Sequence, residues 1–296
     1  MGSPALTDRA GSGQSRRSSV CITGGGSCRC DQTGRTDRMG LHDRHTPMVR
    51  PGVPPGYTAH LDPRQNGSLM RRYEVNGLCP DGYPQHFIRA LPAEPHIDEA
   101  FAAFAHGTLI ATPSGPVAVE DLEPGMTLST ADAGARRLMW VGSTVLMPMA
   151  GALNRDLPTL TRVTADSLGL GRPMADLILG PRARMLFRHP GCHDILGTGQ
   201  AFGPASAFAD GMAMIGLKVT RPTRVFHLAL EAQHILMANG IEVESYHPGD
   251  NAADLMDPAA RLRFLALFPH LCGFEGFGPM SLPRLTAFEM ERMRAA

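Results

Sequence analysis

Short stretches of alternating apolar and polar residues dominate the chain between about residues 101 and 247. Thr108–Thr112, Val117–Val119, Met126–Thr130 and Leu138–Val141 each have the length of a strand, and turn-forming proline and glycine residues separate several of them. Short strands at this close spacing are typical of an all-β sandwich or barrel-like body. The pattern therefore predicts a mainly β fold for this region.

The preceding segment, residues 48–99, is rich in proline and is predicted to be an N-terminal extension. Within it, Tyr73–Gly77 and Gln85–Leu91 are predicted to form two short strands. The residues between them include Pro80–Gly82, whose Pro-Asp-Gly sequence favours a turn.

Residues 1–47 are rich in Gly, Ser, Arg and Thr and have no hydrophobic period of either kind. Such a composition buries too little apolar surface to offset the entropy of ordering, which predicts a disordered tail. The alternative is a mis-assigned start, with translation beginning at Met39 or Met48. The sequence changes character abruptly after Pro47, and this change motivates the alternative.

Residues 251–296 change to a helical pattern and are predicted to be a helical C-terminal extension. Asp257 is a favourable N-cap, and Pro258 suits the first position of a helix. The largely apolar residues that follow predict a helix that ends at Pro269. A short closing helix is predicted near residue 296.

Composition narrows the range of possible functions. The formal net charge of the 296 residues is zero, which argues against nucleic acid or an anionic membrane surface as a partner. Six cysteines are too dispersed for a disulfide framework, so a reduced, cytoplasmic protein is the default expectation, with non-classical export left open. No apolar run is long enough to span a bilayer. No cofactor is expected.

Two runs of residues carry a family resemblance. Residues 101–125 read Phe-Ala-Ala-Phe-Ala-His-Gly-Thr-Leu-Ile-Ala-Thr-Pro-Ser-Gly-Pro-Val-Ala-Val-Glu-Asp-Leu-Glu-Pro-Gly, and residues 137–142 read Arg-Leu-Met-Trp-Val-Gly. This pattern resembles the opening of a bacterial Hint (hedgehog/intein) domain, and residues 226–249 are similar to its closing part. The resemblance implies a Hint-type β-fold over residues 100–250.

The resemblance also implies where self-processing residues would lie, and the sequence departs from the family at each of them. The family begins Cys-Phe-x-x-Gly-Thr, and its nucleophilic cysteine corresponds to Ala103. The later hydroxyl and histidine positions correspond to Gly180 and Ala183. The closing His-Asn pair of inteins corresponds to Glu244 and Ser245, so no asparagine is present to cyclise. We therefore expect a Hint domain that is degenerate at its catalytic cysteine, without splicing or autoproteolysis.

Two classes of function remain open at this point. The first is a non-catalytic module that binds a protein partner or a small ligand. The second is a self-processing peptidase with an oxygen nucleophile, for which Thr108 and Ser114 are candidates and His234 or His227 could assist.

One further stretch, His189–Asp194, gathers metal-competent side chains within six residues. A tetrahedral zinc site needs four ligands in all, and the Pro-Gly within the stretch favours an exposed loop. No metal site is predicted.

Overall fold

The computed structural model describes residues 70–148 and 157–295, and these residues form a mainly antiparallel β structure. Its sixteen strands, numbered along the described chain, are β1 Met70–Leu78, β2 Pro84–Pro92, β3 Phe104–Ala105, β4 Leu109–Thr112, β5 Gly115–Ala118, β6 Thr127–Thr130, β7 Gly134–Arg137, β8 Trp140–Leu146, β9 Thr159–Val163, β10 Leu177–Leu179, β11 Arg184–Arg188, β12 Gln200–Pro204, β13 Met214–Lys218, β14 Thr223–Ala229, β15 Ile235–Ala238 and β16 Ile241–Glu244.

Helices are short and are concentrated toward the C-terminus. They are α1 Pro95–Glu99, α2 Gly191–Leu196, α3 Pro258–Leu265 and α4 Ala287–Ala295, with 3-10 turns at Val119–Asp121, Ala205–Phe208 and Phe274–Phe277. Asp257 caps α3 as predicted, because its Oδ1 accepts a hydrogen bond from the Ala260 N–H at 2.8 Å. Pro258 occupies the first turn of this helix.

The strands form two sheets. The first has the order β13-β9-β10-β3-β14-β8-β1-β2, and the second has β12-β11-β16-β15-β4-β5, with β6 paired to β15 and β7 paired to β6. The N-terminal strand β1 pairs with β2 along its whole length and with β8 on its other side, in the register Tyr73 opposite Thr144. A strand that precedes the predicted Hint region is therefore an integral part of the first sheet.

Two apolar clusters hold these elements together. One lies between the sheets and contains side chains from both, including Phe104 and Leu179 from the first and Ile110 and Leu236 from the second. The other packs β1, β8 and α3 around the single tryptophan of the chain. Its fully buried side chains include Trp140, Tyr73, Phe101, Phe264 and Phe268. The Trp140 ring stacks on Phe268 at 4.7 Å and its Nε1–H donates to the Leu267 carbonyl oxygen at 2.7 Å.

Most of the predicted elements are present, and the differences are local. The two predicted N-terminal strands are β1 and β2, and the C-terminal helices are α3 and α4, although α3 ends at Leu265 rather than at the predicted Pro269. The strand predicted from Leu138 begins instead at Trp140, because Leu138 and Met139 connect β7 to β8. The predicted tail and alternative starts, residues 1–47 and Met48, lie outside the described residues.

The prediction of an exposed loop at His189–Asp194 was wrong. Residues 191–196 form the helix α2, and Cys192 is completely buried. This cysteine packs against Met293 of α4 and against Phe187, so the apolar contact stabilises the short helix despite the Pro-Gly at its start.

Gly142 tests the packing around Trp140. A Cβ at this position would overlap the Trp140 ring and lie 2.7 Å from Phe101 Cδ1, so Gly142→Ala must displace a ring from the core. We expect a loss of about 1–3 kcal/mol in the free energy of unfolding, measured by urea denaturation. Gly199→Ala is the matched control, because a Cβ there meets nothing within 4 Å. Equal stability of the two variants would contradict this packing.

Candidate functional site

The peptide bond between Ala102 and Ala103 is held by backbone hydrogen bonds on both sides. The Ala103 N–H donates to the Phe226 carbonyl oxygen at 2.9 Å, and the Ala103 carbonyl oxygen accepts from the Gly180 N–H at 2.7 Å. The Arg182 N–H donates to the Ala102 carbonyl oxygen at 2.9 Å. Both alanines are buried. The bond that the family resemblance predicts as the site of processing is thus buried and hydrogen-bonded in the interior.

Gly180 and Ala183 lie beside this bond. A Cβ on Gly180 would stand 2.7 Å from the Ala102 carbonyl carbon and closer still to its oxygen, so only glycine fits without displacement of the backbone. The Ala183 N–H donates to the Gly180 carbonyl oxygen at 3.2 Å, and its methyl group is buried in the core between the sheets. The structure therefore brings Ala103, Gly180 and Ala183 together, and none of the three offers a polar side chain.

His227 is a buried imidazole on β14. Its Nδ1–H donates to the Glu99 carbonyl oxygen at 2.9 Å, and its ring packs edge-on against Phe104 and Tyr246. Burial lowers the pKa of His227 from 6.5 to about 3, although the hydrogen bond to Glu99 acts in the opposite direction and the nearby arginines add to the decrease. The ring is therefore neutral at physiological pH.

His234 is oriented by Asp132, which lies in the β6–β7 turn. The His234 Nδ1 lies 2.8 Å from Asp132 Oδ2, and the other carboxylate oxygen accepts from the Ile235 N–H at 2.9 Å. Burial raises the pKa of Asp132, but these hydrogen bonds outweigh it and leave the pKa below its ordinary value. The backbone of His234 exchanges hydrogen bonds with Ser245, whose Oγ accepts the His234 N–H at 2.9 Å.

The two candidate oxygen nucleophiles are engaged elsewhere. Thr108 is buried, and its Oγ1 donates to the Ala105 carbonyl oxygen at 2.7 Å. Ser114 lies in the exposed turn between β4 and β5, where its N–H bonds to Thr112 Oγ1. Neither hydroxyl contacts the Ala102–Ala103 bond among the hydrogen bonds of the described residues.

A chain of alternating charges crosses the interior next to His227. Arg184 on β11 donates to Glu99 Oε1 at 2.6 Å, and its Nε lies 3.8 Å from Glu244 Oε2. Arg284 donates from its Nε to Glu244 Oε1 at 2.8 Å. Burial raises the pKa of Glu244 above its ordinary value, and the two arginines offset only part of this increase. Acidic and basic groups therefore alternate from Glu99, through Arg184 and Glu244, to Arg284.

Gln233 completes this network. Its Nε2 donates to Glu244 Oε1, and its Oε1 accepts from the Leu282 N–H at 2.9 Å and from Ser281 Oγ at 3.2 Å. Arg284 also donates to the His247 carbonyl oxygen at 2.5 Å. Gln233, Glu244 and His247 are thus hydrogen-bonded to residues 281–284 of the C-terminal segment.

Arg184, Gln233 and Arg284 were not predicted as site residues. The alternation of β16 did not point to them, because it places Glu244 on the same face as the partly buried Glu242, and only the structure shows that the Glu244 carboxylate is buried and needs a cationic partner. The position of that partner, forty residues further along the chain, has no local signature.

The described residues contain no group of three or more His, Cys, Asp or Glu side chains that could hold a metal ion. None of their helices combines the length and the apolar composition that crossing a membrane requires.

The low pKa of His227 predicts a dependence of stability on pH. The unfolded chain takes up the proton near pH 6.5 and the folded chain only near pH 3, so stability is complete above pH 6.5 and declines as the pH falls through this interval. At pH 5 the expected contribution is a loss of about 2 kcal/mol in the free energy of unfolding.

Urea denaturation between pH 7.5 and pH 5 measures this loss, and His227→Gln should flatten the profile by that amount. The control, His193→Gln, removes an exposed imidazole of α2 that makes no ion pair with another described residue, and it should leave the profile of the parent protein. If stability depends on pH in the same way in the parent and in His227→Gln, then His227 is not a buried, neutral imidazole in the folded protein.

One protein family and several solved structures match this chain. The family model of the Hint domain matches residues 102–250, about half of the chain. Among solved structures, the chain matches the bacterial intein-like domain from Clostridium thermocellum, with 11% identity, 49% of this chain and 99% of that chain covered, and a TM-score of 0.34. It also matches the MchDnaB-1 intein, with 14% identity, coverage of 49% and 100%, and a TM-score of 0.31. A search of curated proteins finds no significant match. On the evidence of the family model, the chain belongs to the Hint domain family.

Proposed function

We propose that this Hint domain neither splices nor cuts its own chain and that it serves as a binding module. The observation that carries the proposal is the environment of the Ala102–Ala103 bond, where methyl groups and backbone take the place of reactive side chains. An acyl shift at this bond needs a nucleophile with a free electron pair, and the side chain of Ala103 has none.

The side chains that would assist such a reaction are either absent or hydrogen-bonded to other groups. Ala183 cannot protonate a leaving nitrogen, and the neutral His227 holds its Nδ1 proton on the Glu99 carbonyl. The Ser245 hydroxyl oxygen accepts a hydrogen bond from the His234 N–H. Groups that act as a unit lose most of their effect when the nucleophile is absent, so these substitutions together favour an inert site.

The packing on both sides of the bond supports a lasting structural role. Ile97, Ala100 and Phe101 are fully buried immediately before it, and β1 lies within the first sheet. The residues that a cleaving domain would release here belong to the same apolar core as α3. This arrangement suits a module whose parts stay joined.

One observation favours the alternative, a self-processing peptidase with a non-cysteine nucleophile. The Arg182 N–H already points at the Ala102 carbonyl oxygen, as a donor in an oxyanion hole would. The hydroxyl of Thr108 and the imidazole of His234 would have to leave their present partners to use it. We therefore regard the binding module as the better supported function.

An intact mass spectrum of the reduced protein from its native cells distinguishes the two functions. We expect one species, at 31.7 kDa or lighter by the residues before Met39 or Met48. Two fragments that meet near Ala103 would contradict the proposal and would establish self-cleavage.

Ala103→Cys tests whether the nucleophile alone is missing. We expect no cleavage in this variant after incubation with a thiol reductant, because Ala183 still lacks an imidazole and Gly180 has no room for a hydroxyl-bearing side chain. Electrophoresis over several days measures cleavage, and circular dichroism checks that the variant is folded. Efficient cleavage of the single variant would show that the remaining site is competent.

A further inference from the structure

A groove of about 730 Å³ lies beside the segment that connects β13 to β14, and its apolar lining belongs to the same cluster as Ala102. One wall is apolar and includes Leu160, Ile178 and Leu217. The basic rim of the groove consists of Lys218, at the end of β13, and Arg221, in the segment between β13 and β14. The groove therefore combines an apolar surface with positive charge in a volume that fits several side chains.

Among the described residues, no acidic side chain lines this groove. Lys218 Nζ bonds to two neutral oxygens, Thr159 Oγ1 at 2.8 Å and the Leu157 carbonyl at 3.4 Å. Arg221 makes no ion pair with any other described residue. By contrast, Arg224 at the edge of the groove pairs with Glu74.

This local excess stands out because the whole chain has no net charge. The half-buried ammonium group of Lys218 is held in place by its two neutral acceptors, so its position is fixed before any ligand arrives. A cation that is partly removed from water and lacks a carboxylate favours an anionic partner. The adjoining Leu217 and Ile178 favour apolar groups on the same partner.

The lining distinguishes between anionic partners. A single-stranded nucleic acid needs aromatic side chains on which bases stack, and the described part of the chain contributes no Phe, Tyr or Trp to the groove. Two cations would also neutralise only a few phosphates of a nucleic-acid backbone. An extended peptide in which acidic and apolar side chains alternate would place its carboxylates at the basic rim and its apolar groups on the apolar wall.

We propose that the groove beside the segment connecting β13 to β14 binds an acidic, partly apolar peptide segment of another protein. The carboxylates of the segment would pair with Lys218 and Arg221, and its apolar side chains would lie on Leu160, Ile178 and Leu217. This assignment rests on the proposed function of a binding module and names the chemistry of its partner.

Fluorescence anisotropy with the full chain tests the assignment. The probe is a fluorescein-labelled decapeptide in which glutamate and leucine alternate, and the comparison peptide has glutamine in place of glutamate. We expect binding of the acidic peptide that weakens as salt is raised, and at least ~10-fold weaker binding in the double variant Lys218→Gln, Arg221→Gln.

The matched control is Arg89→Gln, Arg292→Gln, which removes two positive charges that lie outside the groove, over Phe87 and Phe288. We expect its affinity to stay within about twofold of the parent, because distant surface charges contribute little at physiological salt. Equal losses in the two double variants would overturn the assignment, since they would indicate binding by overall charge. Absence of binding by the parent protein would overturn it as well.

Two further results would contradict the partner chemistry. Equal affinity for the glutamine peptide would show that the apolar wall alone binds, and tighter binding of a thymidine decanucleotide would favour nucleic acid. The proposed function fails separately, by fragments in the intact mass spectrum. A single intact species without peptide binding would leave the inert Hint domain standing and remove only the groove assignment.

Discussion

The buried carboxylate of Glu244 is the constraint on which the other parts of the molecule depend. It lies within the core, and a charge in that position is tolerated only with cations and hydrogen-bond donors around it. Arg184 comes from the body of the domain, Arg284 comes from the C-terminal segment, and Glu99 extends the chain of charges to α1. Loss of one partner from such a pair typically costs about 3–5 kcal/mol. The same charges therefore bind three regions of the sequence to one another.

This network also explains how the interior of the domain is filled. Around the Ala102–Ala103 bond the contacts are close and mostly apolar, with Gly180 against the backbone and Ala183 in the core. The polar groups nearby satisfy one another, as Gln233 does for Glu244 and for the Leu282 N–H. The close packing around this bond and the hydrogen bonds among the polar groups beside it favour a rigid interior.

Much of the fold could be predicted from local sequence patterns, because alternation and turn residues act over a few positions. The strands around Thr108–Thr112 and the cap at Asp257 follow from neighbours in the sequence. The positions of Ala103 and Gly180 required the family resemblance. The pairing of Glu244 with Arg284 could not be predicted, because nothing in the chain near either residue encodes their contact. The helix at Cys192 was missed for the same reason, since its stability comes from α4.

The position of β1 has a consequence for how the domain could be divided. This strand lies between β2 and β8 and is paired on both sides, and its Tyr73 packs against Phe101 in the core. A nick at the Ala102–Ala103 bond would leave these ladders and contacts intact, so the two pieces would remain one particle in solution. Two separately expressed fragments, residues 1–102 and 103–296, would therefore share the interfaces needed for fragment complementation. The junction is a natural place to build a split version of the domain.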